Sequence, residues 1–142
     1  MTTPLHDTVE QLLDAFAAKD LDAVLTLLAD DAVLVDPHYP NPRMAGKAEI
    51  ADGLRWVFRT MKTLGFTPLT YFEAADGQRA AVEVASAYVL NTGMRLNLTQ
   101  VFVIDTREGL VTRVQAYEPY GPGGIGGIVL SLTRLWRKMS RR

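Results

Sequence analysis

A chain of 142 residues, 48% hydrophobic and 22% charged, is large enough for one domain with its own core. A formal net charge of −1 offers no bulk attraction for a polyanion, so nucleic acid is not an expected partner. The absence of cysteine excludes disulfides, thiol nucleophiles and thiolate metal sites together.

The N-terminal run MTTPLHDTVEQ has no basic stretch leading into an apolar one, so no secretory signal is expected and the default location is cytoplasmic. Residues 7–18 place Val9, Leu12, Leu13 and Phe16 at helical spacing, with Asp7 or Thr8 as cap. Residues 20–29 repeat the pattern with Leu21, Val24, Leu25 and Leu28, capped by Asp20. Residues 32–35 then read as a short buried strand, ending on Asp36 and Pro37. A loop with Pro40 and Pro42 leads to Gly46. There a third helix begins, Lys47 to Lys62, with Ile50, Leu54, Val57, Phe58 and Met61 as its stripe and Gly65 as its stop.

After Gly65 the composition changes to Val, Thr, Tyr and Phe. Phe66–Ala74, Arg79–Leu90, Arg95–Asp105 and Leu110–Tyr117 read as strands separated by turns at 76–77, 91–93 and 107–109. Helices followed by a strand meander give an α+β plan. Residues 121–127, GPGGIGG, read as a flexible linker, and 128–139 as an amphipathic helix. From Gly121 onward there are five basic residues and no acid, which leaves −6 on residues 1–120. The tail is expected to pack on the acidic body or on a partner subunit. Contact with a membrane surface is the less favoured reading. No segment is apolar enough to span a bilayer.

Asp36 is the main chemical candidate. A carboxylate at the end of an apolar strand is costly to bury. It is either a turn acceptor or a general base held in a cleft. Glu118 shares a strand face with Val114 and Ala116 by alternation, so it is either a second cleft acid or a solvated strand end. Arg95, Asn97 and Thr99 share the polar face of their strand, opposite Leu96, Leu98, Gln100 and Phe102. Spacing alone does not say which face lines a cavity. His38 could partner Asp36, or be a solvated loop residue. With His6 as the other histidine, no multi-histidine metal site is available.

The paired first helices with their Lys-Asp-Leu break, LLADDAVLVDP, the glycine opening AGKAEI and the final VQAYEPY resemble one superfamily. It is the nuclear transport factor 2-like superfamily, in its SnoaL-like and ketosteroid isomerase-like branch. The resemblance covers about residues 5–120. It implies an α+β fold with three N-terminal helices on a curved, mostly antiparallel sheet. The sheet would form a conical pocket (a cystatin-like cone), followed by a C-terminal tail helix. Residues 1–120 would be the SnoaL-like domain and 121–142 the linker and tail.

The resemblance also places Asp36 where the isomerases carry their proton-shuttling base; ketosteroid isomerase is itself a standard example of such tuning. It places Asn97 at the position of one oxyanion donor and Leu12 at the position of the other, a tyrosine. It puts Glu118 on the pocket face. The implied site is Asp36, Asn97 and Glu118 as catalytic groups, with His38, Tyr39, Trp56, Phe58, Tyr88, Thr99 and Ala116 around the ligand. The other aromatics, including Phe72 and Tyr117, are expected mostly in the core. No metal and no cofactor is expected. The ligand is a hydrophobic small molecule, and the assembly a homodimer, as in relatives. The implied activity is isomerase-like proton transfer next to a carbonyl. The alternatives are a non-catalytic binding or assembly protein, a polyketide cyclase-like enzyme, or an epoxide hydrolase, whose Asp-Arg-Asp cluster no motif locates here.

Overall fold

Thr3, not Asp7, starts the first helix. Its Oγ1 accepts the His6 N–H at 3.1 Å, and Pro4 opens the helix at a position where no N–H is needed. In the computed structural model, which describes residues 2–118 and 124–140, α1 spans Pro4–Ala17 and α2 spans Leu21–Leu27. Lys19 lies between them at φ 55°. The N–H groups of Lys19 and Asp20 close back on Phe16 O and Ala15 O, both at 3.0 Å, which ends α1. The Asp20 carboxylate accepts from Ala23 N–H at 3.0 Å and starts α2. The reach of Lys19 Nζ to the carbonyls of Phe58 and Met61 pins this corner to the end of the third helix.

β1 spans Leu28–Val35, β2 Arg43–Ala45, α3 Lys47–Thr60, β3 Met61–Glu73, β4 Arg79–Leu90, β5 Arg95–Arg107, β6 Leu110–Tyr117 and α4 Gly124–Met139. The strands form one six-stranded sheet in the order β2-β1-β6-β5-β4-β3. Every neighbouring pair is antiparallel except β1 and β6, which run parallel with Leu34 opposite Val114. The α+β plan and curved sheet therefore stand as expected. The core between helices and sheet contains Leu12, Val24, Leu28, Ile50, Leu54, Val82, Val84, Ile104 and Val111, all fully buried.

Four boundaries differ from the sequence reading. β1 begins at Leu28, because the second helix stops four residues after Ala23. β2 lies inside what reads as a loop. β3 begins at Met61, so Gly65 is not a helix stop but a strand residue opposite Ala87. A Cβ on it would lie 3.2 Å from Ala87 O, so glycine permits this close strand approach. The linker expected over 121–127 lies partly outside the described residues, and 124–127 is helical.

One burial expectation also fails. Phe72 and Tyr117 are exposed, because alternation places both on the outer face of the sheet. Among the described side chains of the tail helix, Leu132, Leu135, Trp136 and Met139 are 60%, 53%, 70% and 58% exposed, so these four do not pack on the body.

Candidate active site

Between the helices and the inner face of the sheet lies a cavity of about 270 Å³. Its wall is almost entirely apolar. Phe16 comes from α1, Trp56 and Phe58 from α3, and Phe66, Tyr88, Leu98, Phe102, Val114 and Ala116 from the sheet. The aromatic rings interlock: Phe66 meets Tyr88 edge-on at 5.8 Å and Phe102 at 6.1 Å, and Tyr39 lies 6.2 Å from Trp56.

Two carboxylates break this wall, Asp36 and Glu118, with side chains only 15% and 13% exposed. Strand alternation aims both inward, since Leu34 precedes Asp36 and Ala116 precedes Glu118 on the lined face. The parallel pairing of β1 with β6 then brings the two strand ends side by side. The loop fixes Asp36: its N–H donates to Pro42 O at 2.9 Å, and its Oδ1 accepts the His38 N–H at 2.9 Å. His38 stands at the rim, 71% exposed, with Nδ1 2.5 Å from Glu118 Oε2 and 3.7 Å from Asp36 Oδ1.

The electrostatics follow from this crowding. Burial, then the nearby negative charge of Asp36, push the Glu118 carboxyl up to about 7, against an opposing pull from His38. Burial and the same two carboxylates raise the hydroxyls of Tyr39 and Tyr88, which stay protonated hydrogen-bond donors. Beneath Tyr88 is a buried polar pair. Gln100 Nε2 donates to Ser86 Oγ at 2.6 Å and to the Tyr88 hydroxyl at 2.5 Å. Tyr88 thus accepts from the protein and keeps its own proton for a ligand.

Eight of the ten expected residues line the cavity: Asp36, His38, Tyr39, Trp56, Phe58, Tyr88, Ala116 and Glu118. Asn97 and Thr99 do not. Both are exposed, while Leu96, Leu98 and Phe102 line the cavity. The strand's apolar face is the inner one, so its polar face turns away. Asn97 therefore cannot serve as the oxyanion donor. Leu12 is fully buried in the core and supplies none either.

The buried Ser86–Gln100 pair was missed, although Gln100 interrupting an apolar alternation was a readable signal. The His38–Glu118 contact had no such signal, because the partners are 80 residues apart.

Asp36, His38 and Glu118 present ligand atoms within 4.8 Å of one another, a spacing that a divalent cation would also fit. Within this group His38 Nδ1 already lies 2.5 Å from Glu118 Oε2. No arginine lines the cavity, so an Asp-Arg-Asp arrangement is not formed by its lining residues.

The architecture is thus a helix-covered curved sheet with two carboxylates in an apolar hollow. The SnoaL-like domain model matches residues 9–114, so the chain belongs to the SnoaL-like family. An uncharacterized protein of Bacillus subtilis, YesE, is 26% identical over 115 residues, covering 78% of each chain. A nuclear transport factor 2-like protein of unknown function from Burkholderia pseudomallei superposes with TM-score 0.74. It is 22% identical, with 83% of this chain and 92% of that one covered. A Mycobacterium tuberculosis protein in complex with estradiol-17beta-hemisuccinate superposes with TM-score 0.74. It is 18% identical, with 84% and 96% covered. These solved structures share the fold.

Proposed function

We propose that the chain is an acid–base enzyme, independent of any cofactor, that moves a proton next to the carbonyl of a hydrophobic small molecule. One observation carries this reading: Asp36 and Glu118 stand together in an apolar cavity, with Glu118 held protonated up to about 7. Two adjacent carboxylates that cannot both ionise easily supply one base and one acid.

Asp36 takes the proton from the carbon next to the carbonyl. The C–H electron pair moves onto the carbonyl oxygen, where the Tyr88 hydroxyl donates a hydrogen bond. Tyr88 fills the part that Asn97 cannot. Asp36 then returns the proton to another carbon, which completes an isomerisation. Glu118 and the rim residue His38 connect the site to solvent protons. The steroid complex of the similarly folded mycobacterial protein supports a flat, apolar ligand.

The test is carbon-bound deuterium exchange of small cyclic enones in D2O, followed by NMR. Asp36→Asn should slow exchange by roughly two to four orders of magnitude. Tyr88→Phe should cost roughly two to three orders. A chelator should leave the rate unchanged. Equal rates for wild type and Asp36→Asn would reject the proton transfer and leave a binding protein. A rate abolished by chelation would assign the carboxylate–histidine group to a cation instead.

A further inference from the structure

We infer that α4 docks on an anionic membrane surface and lies in its plane. Leu132, Leu135, Trp136 and Met139 recur at helical spacing and form one face, and all four are more than half exposed. Arg134, Arg137 and Lys138 are also exposed and fall on the opposite face. A helix with aromatic and aliphatic side chains on one side and three cations on the other matches the boundary between lipid headgroups and acyl chains. The apolar side chains enter the acyl region, and the long basic stems reach back to lipid phosphate.

Charge selects this occupant over the protein's own surface chemistry. The segment from Gly121 has five basic residues and no acid, while residues 1–120 carry −6. An anionic bilayer attracts the tail and repels the body, so it orients the molecule with α4 down. Yet the acidic body has not captured the second half of the tail helix, since Leu132, Leu135, Trp136 and Met139 remain uncovered. The helix cannot cross the bilayer. Its 16 residues span about 24 Å, short of the roughly 30 Å hydrocarbon core, and no helix among the described residues is long and apolar enough to do so. The inference is independent of the chemistry assigned to the cavity.

Co-sedimentation of the full chain with vesicles tests it. One set is phosphatidylcholine alone, the other phosphatidylcholine mixed with phosphatidylglycerol. Wild type should pellet with the mixed vesicles only, and added salt should release it. Each basic residue near an anionic surface is worth about fivefold in partitioning, so combining Arg134→Gln, Arg137→Gln and Lys138→Gln should weaken binding roughly a hundredfold. Trp136→Ala should also release the protein. All four substitutions are at exposed positions, and an unchanged urea midpoint confirms that the body is intact. Failure to bind either vesicle, or binding unaffected by both variants, overturns the inference. So does a dimer, seen by sedimentation velocity without lipid, that Trp136→Ala dissociates, because α4 would then be covered by a second copy.

Discussion

Replacing Glu118 with Gln removes a titration while keeping the shape of the group, and its effect should depend on pH in one direction. In the folded protein Glu118 keeps its proton up to about 7, against an ordinary value of 4.5. Between these values the folded state binds more protons than the unfolded one, so stability falls as pH rises. The contribution is intact below about 4.5 and is lost as pH climbs through about 7. At about 1.4 kcal/mol per pH unit, the full shift sets a ceiling of about 3 kcal/mol. Solvent at the rim and the His38 partner screen this to roughly 1–2 kcal/mol. Urea unfolding should therefore find Glu118→Gln equal to wild type at pH 4.5 and about 1–2 kcal/mol more stable at pH 8. The same variant should lose the activity step near neutrality that wild type shows in deuterium exchange. Parallel stability profiles for the two proteins across this range would refute the claim that burial and Asp36 hold Glu118 protonated.

Two further outcomes test the scaffold. The Arg79 guanidinium, with Arg113 behind it, holds the Asp105 carboxyl below its usual range, through contacts of 2.5 and 3.0 Å from Arg79 and 3.0 Å from Arg113. Asp105→Asn should cost about 1 kcal/mol at neutral pH, the upper end for a solvent-facing ion pair. That difference should vanish as pH falls through the lowered carboxyl value, which chemical denaturation on both sides of pH 3.8 would show. Gly53→Ala would put a Cβ 2.2 Å from Met44 Sδ and 3.1 Å from Tyr39 Cδ1. Met44 is fully buried and its thioether must shift to make room, so thermal unfolding should report a loss of about 1–3 kcal/mol. The displaced Tyr39 should also weaken ligand binding, which calorimetry would detect.

Much of this molecule is written locally. The apolar stripes of α1 and α3 gave their buried faces, because helical periodicity encodes burial over a few turns. Turn residues marked where β3, β4 and β5 end. Helix-to-strand boundaries were less legible. Met61–Gly65 reads as the end of a helix, yet pairing with β4 draws it into a strand. That pairing comes from residues about 25 positions away, which a local pattern does not register.

The site divides along the same line. Asp36 was legible as the acid that ends an apolar strand, and alternation by itself put Glu118 on the face of Val114 and Ala116, since a strand's side chains change face at every step. It could not say which face of β5 lines the hollow, and so Asn97 and Thr99 were placed inside when they lie outside. Only the curved sheet packed under its helices decided that the apolar face turns inward, where burial is favourable. Only the parallel contact of β1 with β6 made neighbours of two acids that stand 82 residues apart in the chain. The raised proton affinity of Glu118 comes from burial and from that contact, because desolvation and repulsion between like charges act only once the fold has brought the two together.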